Sequence, residues 1–338
     1  MNSQTIQQAV ILAAGRGTRL TPLTNDRPKS LLPVIGQPIL ARLIECFHQA
    51  GIRHVIIVTG PELPQVQVGI RKALAPGQRV EWVVQPYPTG TVEALQRALP
   101  LLSGPFLLSA VDNLTPVEHV RTLIAHHESA PHRIATLSLV RATPAEIRQS
   151  ADVLLAGAEA VSIVEKPAHP AGQHAAIMLY AFSPDIAEFL PRVQSTPRGE
   201  REIVSALQLA LAAGRSIGTV LAAWRLHLTR PVDLLHLNSW YLHQMGAVQV
   251  QSELPPSVRL IAPVWIDAGV QVGDKAVIGP EVYLETGAQV GAQARLHHTV
   301  ILAGGIVPAA ATLHHAVLDR HGCFVAHVSE KFDTILEE

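Results

Sequence analysis

From residue 266 onward an aliphatic side chain returns at six-residue intervals, at Ile266, Val272, Ile278, Leu284, Val290 and Leu296. Chance rarely holds six positions in strict register. Glycines at Gly273, Gly279 and Gly291 directly follow a repeating residue, where a chain of short strands must turn sharply. A second phase, Ile301, Val307 and Leu313, carries the period on after a slip. The pattern predicts a parallel β-helix, and it constrains the C-terminal fold more tightly than any other feature of the chain.

Upstream the texture differs. Through about residue 245, short apolar runs alternate with amphipathic stretches, which predicts an α/β domain with a mostly parallel sheet. Strands are expected at 54–59, 80–85, 106–111, 134–140, 161–164, 177–182 and 217–222, and helical spacing covers 38–50 and 201–213. Gly51 and Gly214 are natural stops after those helices. In such sheets ligands bind at the carboxyl ends of the strands.

The head of this domain, residues 12–33, reads LAAGRGTRLTPLTNDRPKSLLP. The apolar run over 9–13 has the length of a strand buried on both faces. Gly15 and Gly17 follow it, free to present backbone N–H groups to an anion at close range, and Arg19 and Lys29 add positive charge beside them. Phosphate is the expected guest. The pattern is not a P-loop, because no G-x-x-x-x-G-K-[ST] occurs, and Leu20 stands where a dinucleotide fingerprint would need its third glycine.

The match runs through Arg27-Pro28-Lys29 and Leu32-Pro33 to Gly36-Gln37-Pro38-Ile39, and over this stretch the chain resembles the sugar-1-phosphate nucleotidyltransferases (NDP-sugar pyrophosphorylases). The hexads resemble the left-handed β-helix of hexapeptide-repeat proteins. Together these resemblances imply a Rossmann-like nucleotidyltransferase domain over 1–245, then a short left-handed parallel β-helix over 246–330. Each triangular coil takes about three hexads, so the repeat supplies about three coils. A stack that short needs a cap or a partner chain at its open end, which predicts a homo-oligomer.

The family reaction joins a nucleoside triphosphate to a sugar 1-phosphate with release of pyrophosphate. The attacking phosphate is already ionised, so the protein must align two polyanions and neutralise the leaving group. By resemblance, Leu12, Ala13, Ala14, Gly15, Arg16, Gly17 and Thr18 form the nucleotide turn. Arg19 would hold the triphosphate, and Lys29 would bridge phosphates near the reacting centre. Gln85, Gly90 and Thr91, in QPYPTGT, match the element that reads the base edge. Asp112, at the end of an apolar run, matches a magnesium ligand, so Mg2+ is the expected cofactor. Glu165 and Lys166 match the sugar-phosphate element, with Lys166 on the phosphate and Glu165 on sugar hydroxyls.

Two positions depart from the family pattern. Met178 replaces a glycine that lies close to the sugar. Relatives also carry a second metal-binding aspartate between a tryptophan and a Pro-x-Asp-Leu-Leu segment, but between Trp224 and Pro231 this chain reads RLHLTR, with no acid. His227 falls nearby, yet imidazole suits magnesium poorly. The departures leave a second reading open, a weak or inactive paralogue that binds nucleotide or nucleotide sugar. A third reading, acyl transfer by the β-helix with a base from His297, His298, His314 or His315, is disfavoured by the shortness of the repeat.

Composition narrows the partners. With 26 basic and 27 acidic residues, the net charge of -1 offers no field for nucleic acid or an anionic membrane. Two cysteines cannot build a disulfide framework, and no apolar stretch reaches membrane-spanning length, so a cytoplasmic protein is expected. The chain carries 17 histidines, and the adjacent pairs His126-His127, His297-His298 and His314-His315 point to opposite faces on a strand. They are expected to be polar surface or coil-corner residues rather than metal ligands.

Overall fold

The structure, a computed structural model, describes residues 5–74, 76–196 and 199–325. By packing, the chain divides into two units, one made of Met1–Arg16 and Leu40–Arg225, the other of Gly17–Ile39 and Leu226–Glu338.

The first unit is built on strands β1 (Gln8–Ala13), β2 (His54–Thr59), β3 (Arg79–Val84), β4 (Phe106–Ala110), β5 (Ala135–Arg141), β6 (Ala151–Ala156), β7 (Glu159–Glu165), β8 (His174–Phe182) and β9 (Ile217–Leu221). Every strand expected from the sequence is present, with ends shifted by at most three residues. The nine strands form one sheet in the order β3-β2-β1-β4-β8-β5-β9-β7-β6. Pairings from β3 through β4 are parallel, as is β9 with β5, but β8 runs antiparallel to both neighbours and β7 to β9 and β6. The sheet is therefore mixed, and the parallel pairing expected for most of it is concentrated around β1, the strand that leads into the glycine-rich turn. Short returns such as the β6–β7 turn at Gly157, whose φ is 64°, permit only antiparallel neighbours.

In β1, consecutive side chains Ala9, Val10 and Ile11 are all fully buried, so both faces of the sheet are covered there. Val10, Ile56, Val58 and Leu108 share one core with Val92 and Leu95 of the Thr91–Ala98 helix and Ile203 and Leu207 of the Ile203–Ala212 helix. Strand β6 was not expected because Asp152 interrupts its apolar run. Its carboxylate is accommodated by the backbone N–H groups of Ala171 (2.7 Å) and Gly172 (3.1 Å).

In the second unit, short strands stack in parallel at a fixed offset. Val264 pairs with Val282, Gln271 with Gln289 and Val277 with Arg295. Beyond Leu296 the offset drops by one, as Val282 pairs with Thr299 and Gln289 with Ile306. That is the slip read in the sequence. The repeating residues from Ile266 to Val307 line a single core, with Leu313 packed against it. Each turn of the chain has three corners, and between residues 269 and 315 each of them holds a residue at positive φ: Gly269, Gly287 and Gly304 at one, Lys275, Gln293 and Ala310 at the next, Glu281, His298 and His315 at the third. Gly273 and Gly291 serve differently, because a Cβ on either would run into the backbone of Ala292 or Ala309 on the next turn. The end of the stack, expected to be open, carries a strand of its own: Cys323–Val325 pairs antiparallel with 316–318.

Candidate active site

The parallel registers of the first unit end four strands at one edge. Ala13 pairs with Thr59, Thr59 with Val84, and Leu12 with Ala110. The segments leaving these strands are therefore neighbours: Ala14-Gly15-Arg16 after β1, Gln85 after β3, Val111-Asp112 after β4. Ala13 is buried, Leu12 and Ala14 are half-buried, and the Leu12 carbonyl accepts from the Val111 N–H at 3.1 Å, which fixes the turn before Asp112. Gly15 and Arg16 are exposed. No heavy atom lies within 4 Å of where a Cβ on Gly15 would stand, and its φ lies outside the left-handed range. The fold does not demand glycine at 15. Asp112 is half-buried and accepts from Asn113 Nδ2 at 3.5 Å.

The loop after Gln85 is held from within. Gln85 is 5% exposed, and its Nε2 donates to the Gly90 carbonyl at 3.0 Å and to Thr89 Oγ1 at 3.5 Å. At Gly90 φ is 114°, and a Cβ there would run into the backbone of Arg201. The close approach is sealed by Arg201 N–H donating to Thr89 O at 3.0 Å and Val92 N–H donating to Arg201 O at 3.0 Å. Thr91 Oγ1 donates to Glu202 Oε2 (3.1 Å) and accepts from the Ile203 N–H (2.8 Å). The hydroxyl of Thr91 and the amide nitrogen of Gln85 thus shape the loop.

Glu165, Lys166 and Met178 come together through strand pairing. Glu165 pairs with Ala151, and Ala151 with Ala176. The Lys166 N–H donates to Ser150 O at 2.8 Å, while Ser150 Oγ donates to Ala176 O at 2.8 Å. Lys166 sits at φ 45°, a strained conformation for a side-chain-bearing residue and one concentrated at functional sites. Its Nζ lies 3.1 Å from Glu165 Oε1. Met178 falls in a bulge, since Ile177 pairs with Ser138 and Tyr180 with Leu137. It is half-buried and packs on the core.

Glu202 is a residue that sequence reasoning missed. Burial first, then the negative charge of Glu165, holds its carboxyl above the usual range, with Lys166 opposing. Deep burial, and then the same neighbour, raise the Tyr180 hydroxyl. Glu202 thereby connects Thr91 to the charges of Glu165 and Lys166. The only local signal was an acid in the first turn of an expected helix.

In the second unit, Gly17 adopts φ 63°, and a Cβ on it would stand 3.1 Å from Thr24 Cγ2 and 3.2 Å from Lys29 Cβ. Its positive φ favours glycine, and the Thr24 and Lys29 carbons leave little room for a side chain. Thr18 and Arg19 are exposed on the turn Thr18–Leu20, and half-buried Lys29 opens the turn Lys29–Leu31. Among the described residues no acid pairs with Arg16 or Arg19.

The segment without the second aspartate is also in this unit. Asp233 is buried, and its Oδ2 accepts from the N–H groups of Thr229 and Arg230, both at 2.8 Å, capping the Pro231–Met245 helix. It is not a substitute ligand. Among the described residues no group of three or more His, Cys, Asp or Glu is arranged to hold a metal ion. The histidines depart from the surface expectation in one place: His119 and His127 are 7% and 5% exposed, bonded to Ser138 Oγ (2.8 Å) and Thr136 Oγ1 (3.0 Å). No helix among the described residues is long and apolar enough to cross a membrane.

A family model described as nucleotidyl transferase matches residues 8–270. A glucose-1-phosphate thymidylyltransferase of Streptomyces griseus is 29% identical over 81% of this chain and 77% of its own length. A UTP–glucose-1-phosphate uridylyltransferase, AglF, of Haloferax volcanii is 30% identical over 67% of this chain and 93% of its own. A crystal structure of UDP-glucose pyrophosphorylase complexed with UDP-glucose superposes with a TM-score of 0.62 over 71% of this chain and 99% of that one, at 20% identity, a likeness of fold.

Proposed function

The chain belongs to the nucleotidyl transferase family, and on that premise we propose that it joins a nucleoside triphosphate to a sugar 1-phosphate, releasing pyrophosphate. The observation that carries this reading is the strand edge of the first unit, where open backbone at Gly15 and the carboxylate of Asp112 follow adjacent parallel strands. A glycine that the fold does not need, facing open space, suits close approach of a phosphate chain.

A phosphate oxygen of the sugar 1-phosphate attacks the α-phosphorus, and the bond from that phosphorus to the β-phosphate oxygen breaks. No enzyme nucleophile takes part. Arg19 and Lys29 offer charge to the triphosphate and the departing pyrophosphate. Gln85 and the loop it holds face the base. Lys166, its backbone strained and its ammonium beside Glu165, serves the sugar phosphate, with Glu165 on the hydroxyls and Met178 narrowing the space a glycine would leave.

Asp112 fits magnesium in the mode that takes one or two carboxylates and fills the rest with phosphate oxygens and water. When bound, the ion neutralises phosphate charge. The absence of an acid between Trp224 and Pro231 favours, as second reading, a paralogue that binds nucleotide with little turnover. We read the C-terminal stack as the left-handed β-helix of hexapeptide repeats expected over 246–330, of which 326–330 lie outside the described residues, following a catalytic domain over 1–245, in a cytoplasmic homo-oligomer. Pyrophosphate release from dTTP or UTP with glucose 1-phosphate and magnesium tests the function. Tight nucleotide binding without pyrophosphate, over a panel of bases and sugars, selects the second reading.

A further inference from the structure

The segment Gly17–Ile39 carries Thr18, Arg19 and Lys29, yet within its unit it is fastened to the C-terminal part of the chain on both sides of Lys29. On one side, the Arg27 guanidinium makes a two-pronged ion pair with Glu285, Nη1 to Oε1 at 2.6 Å and Nη2 to Oε2 at 3.2 Å. Glu285 Oε2 is itself fixed by the Ala303 N–H at 2.7 Å, one turn further along the stack. The adjacent Asp26 takes Arg320 Nε at 2.8 Å and also pairs with His321.

On the other side, the hairpin of Pro33–Val34 and Gln37–Pro38 turns through Ile35 at φ 33° and Gly36 at φ 74°. A β-branched residue at positive φ needs outside support. It is supplied by Asn238, whose Oδ1 accepts from the Ile35 N–H at 2.8 Å while its Nδ2 donates to Pro33 O at 3.2 Å. Gly36 lies against the Trp265 indole, where a Cβ would stand at 3.1 Å. Trp265 and Tyr283 are in turn locked by the two oxygens of Asp267, at 2.7 Å and 2.8 Å.

We infer that the C-terminal stack holds the segment Gly17–Ile39 in its working conformation, with Glu285 as the positioning residue that acts through Arg27 on Lys29, so that the stack serves the reaction. The ion pair is partly buried, with side-chain exposures of 22% and 15%, and a planar guanidinium held by two oxygens fixes orientation as well as distance. Only the rigid Pro28 stands between Arg27 and Lys29 in the chain. Loss of the anchor frees the segment to sample positions in which Lys29 is displaced from the phosphates, a penalty that falls on the nucleotide and spares the sugar phosphate.

The role rests on the catalytic reading above, and the test separates the two. Full-length wild type, Glu285→Gln and Arg320→Gln are compared by amide exchange over residues 17–32 and by steady-state kinetics with each substrate varied. Glu285→Gln keeps size and an acceptor for the Ala303 N–H but removes the charge. The expected result is exchange over 17–32 faster by about tenfold, and kcat/KM for the triphosphate lower by about tenfold, with KM for the sugar phosphate within about twofold of wild type. Arg320→Gln, which loosens the neighbouring anchor, gives the same pattern at smaller amplitude. Unchanged exchange over 17–32 in Glu285→Gln overturns the inference, as does an equal rise in both KM values. If wild type itself turns nothing over, triphosphate affinity replaces kcat/KM, and the anchor stands or falls on that affinity alone.

Discussion

Two histidines make the first unit sensitive to acid by an amount that their surroundings set. His119 and His127 project from the Val117–Glu128 helix toward hydroxyls of strand β5, and burial pushes both rings down to about 4, His127 with help from the Arg133 charge. In the unfolded chain such rings titrate near ~6.5. Between these values the unfolded state binds more protons than the folded one, so stability is complete above the unfolded pKa and falls with pH toward the folded one. At pH 5 the unfolded ring is about 1.5 units past its midpoint while the folded ring stays neutral, a cost of about 2 kcal/mol each and about 4 kcal/mol for the pair. Urea unfolding at pH 8 and pH 5 measures it, and His119→Gln with His127→Gln, retaining hydrogen-bonding groups for Ser138 and Thr136, isolates it from other titrating groups. Wild type should lose about 4 kcal/mol more than the double variant over that interval. Equal losses in the two proteins would refute the assignment of these rings as buried and neutral.

The two glycines at the strand edge predict opposite outcomes. Gly90→Ala drives a Cβ into the Arg201 backbone at a φ that disfavours side chains, so it should destabilise the protein by more than ~2 kcal/mol and lower its melting temperature. Gly15→Ala meets only open space, so its melting temperature should match wild type within about 2 °C while triphosphate affinity by calorimetry falls by about tenfold or more. A Gly15→Ala protein that binds triphosphate normally would remove the reason for placing phosphate there.

The parallel edge was legible because β1, β2 and β4 are buried on both faces and so appear as apolar runs, with glycine after β1 and aspartate after β4, whereas β3, half-buried and carrying Arg79 and Glu81, is less plain. The stack was legible because one inward side chain per short strand writes its period into the sequence. Its corners were only half visible: Gly269, Gly287 and Gly304 are glycines, but Glu281, His298 and His315 take positive φ without being glycine. Burial of His119 and His127 was hidden because the partners that satisfy them lie on a separate strand. The anchoring of Arg27 was hidden for the same reason on a larger scale, since its carboxylate lies 258 residues away. Met178 was legible as a departure, but the bulge that receives it was not, because a shift of register leaves no mark on a single strand.

The most direct measurement traces the oxygen atoms. Glucose 1-phosphate carrying 18O on its non-bridging phosphate oxygens is incubated with dTTP or UTP, magnesium and the protein, and both products are weighed by mass spectrometry. Attack by the sugar phosphate on the α-phosphorus predicts that all the label remains in the nucleotide sugar and that the pyrophosphate is unlabelled. Label in the pyrophosphate, or no nucleotide sugar from any pairing of triphosphate and sugar 1-phosphate, would contradict the account.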